Sequence, residues 1–92
     1  MYRVDATPNA ERALRVVPGL YRRAEEMLVG ILESAEQVRE ALGDTLDLDS
    51  WLRLRIRSYV ISYTLDLDNR RALILSVESL GRGEGEGSSS AR

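Results

Sequence analysis

From Leu52 to Ile56 the chain alternates strictly, with Leu52, Leu54 and Ile56 on one parity and Arg53 and Arg55 on the other. A period of two belongs to a strand with one buried and one wet face. Arginine resists burial without a partner, so this pentapeptide dictates which way a sheet must face. Two more β-rich runs follow at 59–65 and 72–77, separated by short polar breaks. The stretch 51–77 therefore reads as a three-stranded antiparallel meander with arginines on one side.

Registers follow from the same pattern. With Arg57-Ser58 as a two-residue turn, Ile56 pairs with Tyr59, Leu54 with Ile61 and Leu52 with Tyr63. One face is then apolar and aromatic, and the other carries Arg53, Arg55, Val60, Ser62 and Thr64. A slip of one residue would bury the arginines. Arg-Ser is a poor hairpin turn, where glycine or asparagine is usual, so a bulge there is the alternative. For the second hairpin a three-residue loop, Asp68-Asn69-Arg70, pairs Leu65 with Leu73, Tyr63 with Leu75 and Ile61 with Val77. A two-residue loop would set Ile61 against Ser76, so the longer loop is expected.

Upstream, residues 2–6 read as a first strand. Thr7 then Pro8 has the form of a helix N-cap with proline at the first helical position, and the helix runs to about Val17, where Pro18-Gly19 breaks it. A longer helix follows: Leu20, Ala24, Met27, Leu28, Ile31, Leu32 and Ala35 recur at helical spacing, with Arg22, Arg23, Glu25 and Glu26 opposite. Gly30 inside it costs about 1 kcal/mol against alanine, which suggests close packing or a bend. Val38 and Leu42 either extend the helix or form a separate turn. Residues 43–50 form an acidic connector. The expected fold is α+β: a short N-terminal strand, a two-helix hairpin, and the meander packed on the helices. The domain spans 1–80. Residues 81–92, GRGEGEGSSSAR, cannot bury anything and are expected to be disordered.

Composition narrows the chemistry. The chain has no histidine and no cysteine, which removes the usual neutral-pH base, the commonest metal ligand and any disulfide or thiolate site. No P-loop, dinucleotide fingerprint, nucleophile elbow or zinc motif is present, so neither cofactor nor metal is expected. Asp44, Asp47 and Asp49 are spaced like a weak cation loop but lack the glycine and terminal glutamate of a calcium site. All 13 basic residues are arginine, against 15 acids. Arginine offers a planar fork to phosphate or carboxylate, although codon bias is the plainer source of such uniformity. No apolar run reaches membrane-span length and no signal peptide is evident, so a cytoplasmic location without membrane contact is expected.

The candidate site is the pair Arg53 and Arg55, roughly 7 Å apart along the strand, with Arg57 at the turn and Ser62 and Thr64 on the next strand. Such a pair suits a phosphate backbone or a partner's carboxylates; the commoner fate of such a face is simply to be solvated. Tyr59 and Tyr63 fall on the helix-facing side as core. Trp51 is either a lid on the core, the commoner case, or an interface anchor.

The order of elements and one motif resemble the RelE/ParE superfamily of bacterial toxin–antitoxin systems. YRVDATPNAERALRVVPGLYRRAEEML looks like the family's opening strand, first helix and proline-bounded corner. LRLRIRSYVISY, residues 52–63, is similar to the family's YRLRVGDYRVIY strand pair, with Arg53, Arg55, Tyr59 and Tyr63 on matching positions. The resemblance covers residues 1–80. It implies a small toxin neutralised by a cognate antitoxin protein. RelE-like relatives act as metal-independent endoribonucleases on ribosome-bound mRNA, gripping phosphates with basic residues; ParE-like relatives poison DNA gyrase. This sequence departs from the ribonuclease pattern. The arginine after the first tyrosine is Val60, the Gly-Asp turn is Arg57-Ser58, and the last strand gives Val77-Glu78-Ser79-Leu80. Arg82 comes two positions late and no tyrosine follows. The expected function is therefore a toxin that binds a translation or replication target through Arg53, Arg55, Arg57 and Arg82, with catalytic residues weakened or absent. The alternatives are a RelE-like ribonuclease using Arg57 and Arg82 as replacements, or a non-toxic orphan relative that binds protein.

Overall fold

The computed structural model describes residues 1–42 and 51–80. The elements run β1 (Arg3–Ala6), α1 (Pro8–Val16), α2 (Leu20–Leu42), β2 (Leu52–Ile56), β3 (Tyr59–Asp66) and β4 (Arg71–Ser79). They form one four-stranded sheet in the order β1-β4-β3-β2. β1 lies parallel to β4, and the other neighbours are antiparallel. Both helices pack on one face. The expected connector at 43–50, with Asp44, Asp47 and Asp49, and the expected tail at 81–92 lie outside the described residues.

The helix boundaries follow from local chemistry. Thr7 is extended at φ −64° and ψ 158° and caps α1, its hydroxyl accepting from the Ala10 N–H at 3.3 Å. Pro8 fills the first turn, where its missing N–H costs nothing. Pro18 disfavours helical dihedrals at Val17, which is extended at φ −101° and ψ 118°. Gly19 then takes φ +78° to turn the chain into α2. α2 continues through Val38 to Leu42 as one helix. Gly30 does not pack closely: it is exposed, and an added Cβ would meet nothing within 4 Å.

α2 buries two stripes to different depths. Leu20, Ala24, Leu28 and Leu32 are almost wholly excluded from solvent and meet Ile56, Ile61, Tyr63, Ala72 and Ile74 in the core. Met27, Ile31 and Ala35 are half-buried beside Leu52 and Leu65.

The β2–β3 register is the expected one, with Leu52 opposite Tyr63, Leu54 opposite Ile61 and Ile56 opposite Tyr59. The β3–β4 register differs from expectation over half its length. Ile61 does pair with Val77, but Tyr63 pairs with Ile74 and Leu65 with Ala72 rather than with Leu75 and Leu73. Two features combine here. Asp66 already pairs with Arg71, so the loop is 67–70, one residue longer than expected. A bulge then sets Ile74, Leu75 and Ser76 against only Ser62 and Tyr63, which restores the expected register beyond it. The bulge has a partner far away in the chain. The Thr7 hydroxyl donates to the Leu75 carbonyl at 3.1 Å, and the Thr7 N–H donates to the Ile74 carbonyl at 3.0 Å. One threonine thus caps α1 and ties it to the bulge.

At the far end, Glu36 of α2 accepts from the Tyr2 hydroxyl and from Arg70 Nε at 2.9 Å, while Arg70 also lies over the Tyr2 ring. Arg39 reaches Asp68 at 3.0 Å. These contacts clamp the second half of α2 to β1 and the β3–β4 loop. The Tyr2 bond, with help from Arg70, holds the Glu36 carboxyl below its ordinary pKa. The same bond, with partial desolvation and the nearby negative charge, raises Tyr2 above 10.0.

Replacing Thr7 with alanine should lower stability by about 1–2 kcal/mol, the range for losing a strong cap, whereas serine should retain most of it; urea unfolding measures both. Glu36 is depressed in the fold, so its contribution is present at neutral pH and fades as pH falls through the folded value. Tyr2 is raised, so its contribution fades as pH rises through its folded value. Urea midpoints measured against pH should therefore fall at both ends, and Tyr2→Phe should flatten both falls.

Candidate nucleic-acid interface

β2 is one of the two outer strands of the sheet, at the end opposite β1, so every side chain on it lies at an edge. Across the face away from the helices, its registers set up two rows. Arg53 opposes Ser62, which opposes Ser76; Arg55 opposes Val60, which opposes Glu78. Ser62 is buried, although it lies on that face, and Arg53 and Arg55 are exposed. The expected neighbours Arg53, Arg55, Ser62 and Thr64 are therefore brought together on one face. Tyr63 lies in the core, where burial raises its phenol pKa; Tyr59 packs half-buried against it.

The arginine pair is not a simple matched pair. Arg55 turns toward the hairpin, and its Nε donates to the Arg57 carbonyl at 2.9 Å. Arg57 takes φ +57° while Ser58 does not take a positive value. That pattern fits a two-residue turn of type II′ rather than a bulge. Arg55 and Arg57 then line a cleft of about 280 Å³ with Ile56 and with Arg23 and Met27 of α2. Arg53 stays apart, in its row with Ser62. Arg82 lies outside the described residues.

Sequence reasoning missed Arg23, which reads only as part of the solvated side of α2. The signal was its spacing of four from Met27, which places both on one helix face. Trp51 departs from the core reading. It is 69 % exposed and immediately precedes β2, beside the edge that carries Arg53 and Arg55.

Charge balance separates this edge from the rest of the surface. Arg3, Arg15, Arg22, Arg39, Arg70 and Arg71 each have a carboxylate within 4.0 Å. Among the described residues, Arg12, Arg23, Arg53, Arg55 and Arg57 have none, and all of these but Arg12 of α1 lie at or beside this edge. Beside this edge, Met27, Gly30, Ile31, Ser34, Ala35, Val38, Leu52 and Leu65 line a mostly apolar groove of about 570 Å³. No cluster of three or more metal-ligating side chains occurs among the described residues. No helix among them is long and apolar enough to cross a membrane.

No family model matches the sequence, and no curated protein matches it. Solved structures do. A chain of the archaeal RelE–RelB complex from Pyrococcus horikoshii OT3 is 26% identical, with a TM-score of 0.55 over 88% of this chain and 97% of that one. A chain of the intact E. coli RelBE toxin–antitoxin complex is 20% identical, with a TM-score of 0.58 over 89% of this chain and 100% of that one. The α+β architecture described above is therefore a RelE-like toxin fold.

A double substitution Arg53→Ala/Arg55→Ala removes exposed charge and leaves the helix-facing side of β2 untouched. It should lower the unfolding free energy by no more than about 1 kcal/mol, the scale of the one exposed hydrogen bond that Arg55 makes to the Arg57 carbonyl, which leaves it usable as a functional probe.

Proposed function

We propose that this chain is the toxin of a type II toxin–antitoxin pair, held in check by a cognate antitoxin protein, and that it inhibits growth by binding its target. The fold supports the toxin reading, because both structures it resembles are toxin–antitoxin complexes. The arginine-bearing edge supports a target that presents phosphate, in the ribosome and its message or in the DNA bound by gyrase.

The observation that carries binding over cleavage is the row Arg55–Val60–Glu78. Breaking a phosphodiester through its 2′-hydroxyl requires cations where negative charge develops, and losing one such group commonly costs about 100-fold or more. Here the position beside Arg55 is a valine, and the next across the sheet is a carboxylate that would repel the developing charge. The second reading, a ribosome-dependent ribonuclease with Arg57 and Arg82 as replacements, draws support from the closeness of Arg57 to Arg55. Against it, Arg57 sits in the turn beyond the end of β2 and is not a member of the row Arg55–Val60–Glu78.

Expression without antitoxin should arrest bacterial growth, and Arg53→Ala/Arg55→Ala should relieve the arrest; equal growth of the two would contradict the proposal. Message on translating ribosomes should stay intact. Metal-independent cutting that disappears in Arg57→Ala would favour the ribonuclease instead.

A further inference from the structure

We propose that the cleft between α2 and the β2–β3 turn is a phosphate-binding site, formed by Arg23, Arg55 and Arg57 over Met27 and Ile56. Backbone strain is the first support. Arg57 occupies a left-handed conformation, at φ +57°, where glycine sits without penalty and other residues are strained. A side chain kept at such a position, against local preference, points to a use for that side chain.

Construction is the second. The hydrogen bond from Arg55 Nε to the Arg57 carbonyl at 2.9 Å fixes one guanidinium against the turn. Helix α2 supplies Arg23 from the other wall, so two separate elements contribute arginines to the lining of one cleft of about 280 Å³. Charge is the third. None of these three has a carboxylate within ion-pair distance among the described residues, whereas every other described arginine except Arg12 and Arg53 has one. Three cations gathered without counter-charge repel one another, and a bound anion relieves this.

The count of forks favours phosphate over a carboxylate. A carboxylate has two coplanar oxygens and one charge; a phosphate presents its oxygens in several directions and suits arginines arriving from different sides. The phosphate can come from a nucleic-acid chain, as diester or as terminal monoester, or from free phosphate. The site rests on the toxin reading only for that source.

The test follows the arginine Nε–Hε signals of the full-length protein by NMR. Inorganic phosphate, a 5′-phosphorylated trinucleotide and an unphosphorylated trinucleotide are titrated in turn. The signals of Arg23, Arg55 and Arg57 should shift together and saturate, while exposed Arg12 of α1 should not. Response to the unphosphorylated trinucleotide assigns the site to diesters; response to the other two alone assigns it to free or terminal phosphate. Arg23→Gln should weaken binding about tenfold or more, the scale of one charge-assisted hydrogen bond. Arg57→Gly should weaken binding while raising the thermal midpoint, since it removes the strain along with the guanidinium. Equal shifts at every arginine, tighter binding of an oligoglutamate peptide than of phosphate, or a lower midpoint for Arg57→Gly would overturn the proposal. Absence of phosphate binding in a chain that arrests growth contradicts this site alone; phosphate binding without growth arrest contradicts the toxin reading alone.

Discussion

The structure depends on the pairing of β2 with β3. Its register leaves one choice for each side chain: leucine, isoleucine and tyrosine against α2, or arginine, serine and threonine away from it. Slipping by one would put Arg53 and Arg55 under the helices, where unpaired charge is costly. The same register therefore organises the core and puts the unpaired cations on the sheet edge. What the edge can bind is a consequence of what the core must exclude.

That is also why this part was legible from the sequence. Five alternating residues, a two-residue break and another alternating run leave a single register that buries no arginine. The second hairpin was only half legible. Its outer pair, Ile61 with Val77, follows from polarity, but the inner pairs depend on a bulge at Leu75. That bulge is held by the hydroxyl of Thr7, 68 residues earlier. Thr7 announces itself locally as a cap, and nothing in the sequence couples it to β4. The parallel pairing of β1 with β4 was hidden for the same reason.

The candidate site divides along the same line. Arg53 and Arg55 stand out from strand parity, and Arg57 from its place at the adjoining turn. Arg23 does not, because one arginine on the polar side of an amphipathic helix looks like any other until the turn is folded against it. Trp51 shows the limit of reading by size: large apolar residues are usually covered, but Trp51 lies just before an edge strand, where it is 69 % exposed. Sequence departures from the ribonuclease pattern at Val60 and Glu78 become physical in the sheet, where the two are direct neighbours in the row that begins at Arg55.

If the cationic edge holds phosphate without transforming it, as proposed, its binding must depend on salt in a quantitative way. Binding of a single-stranded RNA oligonucleotide should weaken with salt, and the log–log slope should become shallower by about 0.7 for each phosphate contact removed. The direct measurement compares that slope, and the integrity of the RNA, for the wild type and Arg53→Ala/Arg55→Ala. A shallower slope in the variant with intact RNA in both is the predicted result. An unchanged slope, or cut RNA with the wild type, would contradict it.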